Sequence, residues 1–343
     1  MAELEYSRNH LTSVAPGPSA SNRTAFHHVL ACVDSSACAH TVLAHAAATA
    51  QAMGAQLTVL RVLEPSAARH APTDPVEWDL RHHEAVAEVE RLASGVNDHV
   101  HADALVIEGM AAERICEWAS EHDVDLTVLG ISGENGCEWG LGRTARRVAE
   151  TAPGSVLLCP TTEVIKGALN YHRLMIPLDC SSRAECALPI AASMADAHNA
   201  DLLLVHASPE VALTEVGPPE ADDLALRERL RKRNRRVAQR YLQQTQARLS
   251  LTGGTSRVRM LPTNDPRHAI MRAVSDEEID ILVLSSSGCS GHPDLSLGSV
   301  ADYLICHITT PILLVRSHTT QSLPRLRNST VKLHPRLPGQ AQP

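Results

Sequence analysis

The sequence is poor in aromatic residues, with one Phe, four Tyr and three Trp among 343 residues. Its apolar residues, 44% of the chain, are therefore mostly Ala, Val, Leu and Ile, and they suffice to predict two aliphatic cores. No apolar run approaches the roughly 20 residues that span a bilayer, and the N-terminus lacks the apolar segment of a signal peptide. We therefore expect a cytoplasmic protein.

Patterns typical of a metal site are also missing. The nine cysteines include no CxxC pair, so we expect small buried hydrophobic residues more than disulfide partners or zinc ligands. His82 and His83 are adjacent, and on a helix they would point about 100° apart, which does not form a chelate. The net charge of −8 argues against a general affinity for nucleic acid. We expect no metal site, no membrane span and no nucleic-acid partner.

What the sequence does contain is centred on residues 281–315, which read ILVLSSSGCSGHPDLSLGSVADYLICHITTPILLV. Two short apolar runs predict strands buried on both faces. Between them lie Gly288, nine further residues, and then Gly298 and Ser299 at the start of a predicted helix. Small residues beside the free N–H groups of a helix N-terminus are typical of a phosphate-binding loop.

The same order of strand, glycine loop, helix and strand occurs in residues 126–159, and the segments upstream also match. Asp34 corresponds to Asp179, 145 residues later, and Gly133 corresponds to Gly288, 155 residues later. An internal duplication is the simplest explanation. The chain is therefore predicted to contain two similar α/β domains.

These motifs resemble the universal stress protein family, whose ATP-binding members carry G-x2-G-x9-G-[ST]. The resemblance covers nearly all of residues 26–317. It implies two tandem doubly wound five-stranded parallel sheets of strand order 3-2-1-4-5, the adenine nucleotide alpha-hydrolase-like fold, with right-handed crossovers. The predicted divisions are a disordered arm (1–25), a first domain (26–161), a linker (162–171), a second domain (172–316) and a disordered basic tail (317–343).

The resemblance also implies the site residues and the ligand, which is ATP, with or without Mg2+. In the second domain, Asp179 would hold the adenosine end and the glycine loop would hold the phosphates. The residues concerned there are Pro177, Asp179, Ala207, Ser285, Ser287, Gly288, Gly298, Ser299 and Val300. Their counterparts in the first domain are Asp34, Val62, Gly130, Gly133, Gly142 and Arg143. A second interpretation is that Asp34, Ser35 and Ser36 only cap the following helix.

Each glycine loop departs from the pattern. In the first, only eight residues separate Gly133 from Gly142, and Arg143 stands where the pattern has serine. Arg143 could attract a phosphate by its charge, or its bulk could keep a nucleotide out; we expect an altered or lost site. In the second, Ser285 replaces the first glycine, and its Cβ could crowd the phosphates.

Three functions remain open at this stage. The first is a nucleotide-binding stress-response regulator without strong catalysis, since a Walker loop and its lysine are absent. The second is an enzyme acting on ATP, a weak hydrolase for example, in which His292 is the histidine of the second loop. The third is a nucleotide-free scaffold with degenerate sites.

Partners are indicated by apolar strands and by charged segments. The fifth strands, around 156–158 and 312–315, would be exposed sheet edges unless they meet in a pseudo-dimer of the two domains; a homodimer of the whole chain is also open, and no protein partner can be named. His206 is either a packing residue or a ligand contact. In residues 225–249 an apolar stripe, formed by Leu226, Leu230, Val237, Tyr241 and Leu249, is surrounded by basic residues. That segment is either an anion-binding surface or a solvated helix face.

Overall fold

The structure is a computed structural model that describes residues 26–65, 75–96, 100–131, 141–160, 165, 167–208, 221–249, 251–263, 265–286 and 297–316. In the first half, the strands are β1 (His28–Val33), β2 (Gln56–Leu63), β3 (Ala102–Glu108), β4 (Leu126–Gly130) and β5 (Ser155–Cys159). The helices between them are α1 (Ala39–Met53), α2 (Pro75–Ser94), α3 (Ala111–Glu121) and α4 (Arg143–Thr151). The predicted arm and tail lie outside the described residues.

The second half repeats this succession. Its strands are β6 (Arg173–Pro177), β7 (Asp201–Ser208), β8 (Ser256–Pro262), β9 (Ile281–Ser285) and β10 (Ile312–Val315). A 3-10 turn (Ala184–Cys186) leads into α5 (Ala187–His198), and α6 (Ala221–Arg248), α7 (Pro266–Asp276) and α8 (Ser299–His307) follow. Within the described ranges, no helix is long and apolar enough to cross a membrane.

The strand order confirms the predicted fold in both halves. The first half is ordered β3-β2-β1-β4-β5 and the second β8-β7-β6-β9-β10. Within each half every neighbouring pair is parallel. The central strands are apolar and buried, because helices cover both faces of a parallel sheet.

The two halves are joined into one continuous sheet of ten strands, which differs from the simple picture of two separate sheets. The expectation that the fifth strands meet is fulfilled: β5 and β10 pair antiparallel, with Leu157 opposite Leu313 and Leu158 opposite Ile312. Both Leu157 and Leu313 are completely buried. Pairing therefore removes two apolar edges. It also makes the strands of the two halves run in opposite directions. The carboxyl ends of the strands in one half therefore lie on the same side as the amino ends of the strands in the other half.

Each face of the sheet is covered by a different set of helices. One core cluster collects side chains from α1, α2, α5 and α6, and the other from α3, α4, α7 and α8. Both clusters are almost wholly aliphatic, as the composition predicted; Phe26 and Tyr171, a buried Phe and a buried Tyr, both belong to the first. The four helices α1, α2, α5 and α6 thus share one face.

The helix that follows the first strand ends in the same way in both halves. Gly54 terminates α1 with a φ of 63°, the left-handed conformation that glycine adopts without a steric penalty. Its counterpart after α5 is Asn199, with a φ of 53°. Asparagine is the residue that tolerates this conformation best after glycine. The duplication therefore preserved the backbone turn while the side chain changed.

The connection between the halves packs against α1. Tyr171 is 1% exposed and its hydroxyl hydrogen-bonds Nδ1 of His45 at 2.7 Å. Before it, the N–H of Ile165 donates to Oγ1 of Thr41 at 3.3 Å. Burial lowers the pKa of His45 to about 4, because the charged imidazolium would lose its hydration. The halves are fixed to one another by this contact as well as by the sheet.

A charge placed at the joint between β5 and β10 should separate the halves. We expect Leu313→Asp to lower the free energy of unfolding by roughly 3–5 kcal/mol, the cost of an uncompensated buried charge. Urea unfolding and light scattering measure the effect on stability and on aggregation. Leu313→Met, which retains the volume, should cost less than about 1.5 kcal/mol. Equal stability of the Asp variant and the wild type would contradict the burial of Leu313 between β5 and β10.

Acid should destabilise the contact between His45 and Tyr171. The folded-state pKa of His45 lies below its unfolded value, so the unfolded chain binds more protons between these pKa values and stability falls as pH drops from about 7 toward 4. The loss attributable to His45 is about 3 kcal/mol over that window. His45→Gln should flatten the dependence of unfolding free energy on pH, whereas His40→Gln, on an exposed position of α1, should leave it unchanged.

Candidate functional site

Two equivalent crevices lie where the strand order reverses, between β1 and β4 and between β6 and β9. Open parallel sheets bind ligands at the carboxyl ends of the strands at this point. Asp34 follows the last residue of β1, and Gly130 is the last residue of β4. Asp179 lies just beyond β6, and Ser285 ends β9. Predicted site residues that are distant in sequence are thus brought together, one pair in each half.

The two aspartates have the same local geometry. Oδ1 of Asp34 accepts hydrogen bonds from the backbone N–H of Ser36 at 3.0 Å and from its hydroxyl at 2.5 Å. Oδ1 of Asp179 accepts the same two bonds from Ser181, at 3.0 and 2.5 Å. These bonds hold each carboxylate in one orientation at its crevice. Asp34 is half-buried, and Asp179 is exposed.

In both turns the serine hydroxyl also accepts a backbone N–H at the start of the next helical turn. Oγ of Ser36 accepts from the N–H of Cys38 at 3.3 Å, and Oγ of Ser181 accepts from the N–H of Ala184 at 3.2 Å. The serine thus links the aspartate to the helix that follows.

The glycine loops are closed by equivalent hydrogen bonds but differ in length. The N–H of Gly142 donates to the carbonyl of Ile131, and the N–H of Gly298 donates to the carbonyl of Ser286, both at 2.8 Å. Eleven positions separate the first pair and twelve the second. The first loop is therefore one residue shorter within the same backbone frame. Gly133, Ser287, Gly288 and His292 lie outside the described residues.

The helix that follows the second loop begins at Ser299, within one residue of the predicted start. In the second half, Gly298 precedes Ser299, and the first helical bond runs from the N–H of Asp302 to the carbonyl of Gly298. The N–H groups of residues 299–301 therefore have no partner in their own helix. Val300 is half-buried and Ser299 is exposed. Since φ of Gly298 is −70°, an ordinary value, a side chain there would change the space before the helix and not the backbone.

In the first half the corresponding helix begins with Arg143, which is exposed. Arg143 thus adds a positive charge to the first turn of α4, where the helix dipole is also positive. Ser299 introduces no such charge at α8. The two phosphate-binding candidates are consequently alike in backbone and different in electrostatics.

The strands that frame the second crevice are held together over a shorter length. β1 and β4 are paired at four positions, ending with Cys32 opposite Leu129. β6 and β9 are paired at two positions, ending with Met175 opposite Leu282. The carboxyl-terminal residues of β6 and β9 are thus not paired with each other.

Pro177 explains this difference. Neighbouring residues of a strand direct their N–H groups to opposite sides, and the N–H of Leu178 donates to the carbonyl of Val205 on β7. Pro177 therefore faces β9, where it has no N–H to donate. Its counterpart in the first half is Cys32, which remains paired with β4.

At the base of the second crevice Sγ of Cys186 lies 3.6 Å from Oγ of Ser285. Burial raises the pKa of the Cys186 thiol, so it stays protonated at neutral pH. By the duplication the counterpart of Cys186 is Thr41, and Thr41 accepts the hydrogen bond from Ile165 described above. The connection between the halves therefore contacts the first half at the residue equivalent to the base of the second crevice.

The residues expected to lie near the adenine base of a nucleotide are half-buried. Val62 on β2 and Ala207 on β7 both pack against the core of the α3, α4, α7 and α8 face. The neighbouring His206 is oriented by the backbone, since its Nδ1 lies 2.7 Å from the carbonyl of Leu178 and donates to it. Sequence reasoning missed Cys180, whose Sγ lies 3.7 Å from the same nitrogen. The signal was its place directly after Asp179.

The cysteines only partly follow the expectation of buried hydrophobic residues. All those in the described ranges are free thiols; Cys159 is buried, whereas Cys180 is exposed and has a φ of 66°. The positive φ turns the chain sharply after Asp179.

Both halves of the chain match known proteins. The model of the universal stress protein family matches residues 25–160 and 170–316. A protein of Thermus aquaticus, described as a universal stress protein in the QAH/OAS sulfhydrylase 3' region, is 30% identical over 146 residues, which are 43% of this chain and 99% of that protein. The universal stress protein YxiE of Bacillus subtilis is 22% identical over 152 residues, again 43% and 99%.

Solved structures extend the likeness to the tandem arrangement. A universal stress protein of Archaeoglobus fulgidus has a TM-score of 0.59 at 16% identity and covers 86% of this chain and 98% of its own. A putative universal stress protein of Pseudomonas aeruginosa has a TM-score of 0.56 at 14% identity, with 86% and 95% covered. At such identities the likeness supports the fold of both halves together.

The turn that positions Asp179 can be tested by removing its serine hydroxyl. We expect Ser181→Ala to lower the free energy of unfolding by about 1 kcal/mol, as the loss of a helix cap does, because Ala184 and Asp179 each lose a partner. Urea denaturation measures the change. Ser182→Ala, at the adjacent exposed position, serves as the control and should be neutral; equal effects of both substitutions would contradict the role of Ser181.

Proposed function

We propose, since the chain belongs to the universal stress protein family, that it is a cytoplasmic stress-response regulator whose second half binds one molecule of ATP. The first half binds ATP poorly or not at all. The observation that carries this proposal is the combination, in the second half only, of the longer loop with Ser299 at the start of α8. The N–H groups of residues 299–301 have no partner within their own helix, and such a helix N-terminus favours an anion. In the first half the bulk of Arg143 at the corresponding position would fill the space for a phosphate.

The second crevice offers a group for each part of the nucleotide. Asp179, held by Ser181, would accept hydrogen bonds from the ribose hydroxyls, and Ala207 would lie against the base. Gly298, Ser299 and Val300 would donate backbone N–H and hydroxyl groups to the phosphates. Ser287 and Gly288 belong to the loop between them. Mg2+ could accompany the phosphates, with no ligand assigned.

Ser285 need not prevent binding. Its hydroxyl lies near Cys186, on the α5 side of the strand end, and is therefore engaged at the base of the crevice. The shortened pairing of β6 with β9 leaves the ends of these strands less constrained, which helps a nucleotide to enter between them. Both features support the second half as the binding half.

The first half differs at each of these points. Its loop is shorter, Arg143 begins α4, β1 and β4 stay paired to Cys32, and Thr41 contacts the connection between the halves. We therefore propose that Asp34, Val62, Gly130 and Gly142 retain the fold of the site and have lost its ligand.

We propose that the residues at the site bind ATP and do not catalyse a reaction on it. No lysine of a Walker loop is present to stabilise charge that develops during phosphoryl transfer. We therefore propose that ATP acts as a regulatory ligand, with hydrolysis at most weak. A change in ATP occupancy would then be read by other proteins through the shape of the second crevice.

Calorimetry with ATP tests the inequality of the halves. We expect one ATP per chain, with Asp179→Ala and Gly298→Val each abolishing binding, since one removes the ribose contact and the other fills the space before α8. Asp34→Ala is the matched control, because it removes the equivalent carboxylate from the first half, and binding should be nearly unchanged.

Two equivalent sites would show that both halves bind ATP. A single site that is lost in Asp34→Ala and kept in Asp179→Ala would show that the first half is the binding half. Absence of any binding by the wild-type chain would instead favour the nucleotide-free scaffold. Turnover of ATP at an enzymatic rate that is lost in His292→Ala would favour the hydrolase.

A further inference from the structure

Helix α6 carries a basic surface that its carboxylate partners neutralise only in part. The helix has 28 residues, about 42 Å at 1.5 Å per residue, and its buried residues are Ala238, Leu242 and Thr245. Every residue from 231 to 237 is exposed. Within the described ranges, no carboxylate pairs with the exposed residues Arg229, Arg233, Arg236 and Arg240; Glu228 pairs with Arg231 and Lys232.

The apolar stripe expected on this helix faces the core only toward the C-terminal end, where Tyr241 and Leu249 pack against the core cluster. Leu226 is 46% exposed and Val237 is 58% exposed. The buried contacts of the helix lie further round it, at Ala238 and Leu242. At 100° per residue, Leu226 and Val237 lie next to Arg229, Arg233, Arg236 and Arg240 on the outward side of the helix. The outward surface of α6 is therefore both cationic and apolar.

Helix α2 is the counterpart of α6 and has the opposite charge. Its buried residues, Ala85, Val89 and Leu92, have the same spacing as those of α6. It contains five acidic and two basic residues, whereas α6 contains three acidic and nine basic. Its outward side exposes Val76 by 75% and Leu80 by 59%, between the exposed acidic residues Asp79, Glu84 and Glu90.

Exposed apolar side chains are concentrated on these two helices. Of the six large hydrophobic residues that are exposed in the described chain, two lie on α2 and three on α6. Scattered exposed apolar residues need no explanation, but such clustering marks an interaction surface. Each surface has what the other lacks: apolar residues among carboxylates on α2, and apolar residues among guanidinium groups on α6.

The topology prevents the two surfaces from meeting within one chain but lets them meet between two chains. α2 and α6 lie at opposite ends of the ten-stranded sheet and on the same face. A twofold axis that brings α6 of each copy against α2 of the other forms both contacts at once, in a closed assembly.

We propose that α6 docks on α2 of a second copy of this chain, forming a closed dimer through two identical contacts between these helices. Charge complementarity selects this partner, and the exposed apolar residues of both helices are buried by it. A nucleic acid would use the arginines alone. It would leave Leu226 and Val237 exposed, and residues 221–240 contain no aromatic side chain on which a base could stack.

Charge reversal with exchange tests this contact. One chain carries Arg233→Glu and Arg236→Glu on α6, and a second carries Asp79→Lys and Glu84→Lys on α2. Sedimentation velocity of the full-length chains should find a dimer for the wild type, weakened by added salt. For each variant alone the dissociation constant should rise tenfold or more, because like charges then face each other. An equal mixture of the two variants should restore the dimer, since both contacts are again complementary.

Arg147→Glu together with Arg272→Glu is the matched control. It makes the same change in net charge at exposed positions of α4 and α7, on the other face of the sheet, and should leave the dimer intact. Restoration by mixing shows that the variants are folded.

Three results would overturn the proposal. The first is a wild-type chain that stays monomeric at every concentration. The second is a pair of variants that each lose the dimer but do not restore it when mixed. The third is a monomeric wild-type chain that binds duplex DNA through Arg233 and Arg236, which would assign α6 to nucleic acid.

Discussion

The antiparallel pairing of β5 with β10 is the constraint on which the rest of the molecule depends. It converts two apolar strand edges into the centre of one sheet, with Leu157 and Leu313 completely buried. Because the pairing is antiparallel, the strands of the two halves run in opposite directions. The two crevices are consequently on opposite edges of the sheet, and α2 and α6 are at its opposite ends. The separation of the two candidate crevices, and that of α2 from α6, thus follows from the pairing of β5 with β10.

Duplication followed by divergence explains why the two crevices share a frame and differ in chemistry. The serine bonds to Asp34 and to Asp179 have the same lengths, and the closing bonds of both glycine loops are also equal. These backbone features are required for the fold itself. Positions that the fold does not require have changed, such as Pro177 for Cys32. The differences between the halves therefore lie at positions that would contact a ligand and that do not belong to the core.

The same divergence redistributed the charge of the chain. A net charge of −8 suggests an acidic protein, but the value is an average over surfaces of opposite sign. On α2 and α6 the core-facing residues keep their spacing because the sheet beneath them is equivalent. Their outward residues have no such constraint, and one helix became acidic and the other basic. Electrostatic recognition depends on these local surfaces more than on the sum.

The sequence by itself determined the duplication and the α/β class, because these rest on local periodicity and on spacing that is repeated 145 residues later. The strand order and the candidate site residues were implied by the resemblance to the universal stress protein family, and the structure confirms the strand order. The sequence also determined the unequal loops, since their length can be counted. Only the tertiary structure decided that β5 and β10 form one sheet, that Pro177 shortens the pairing with β9, and that Leu226 and Val237 of α6 are exposed. Each of these depends on which neighbour a residue faces, and a neighbour is defined by the packing of distant elements and not by the order of residues along the chain.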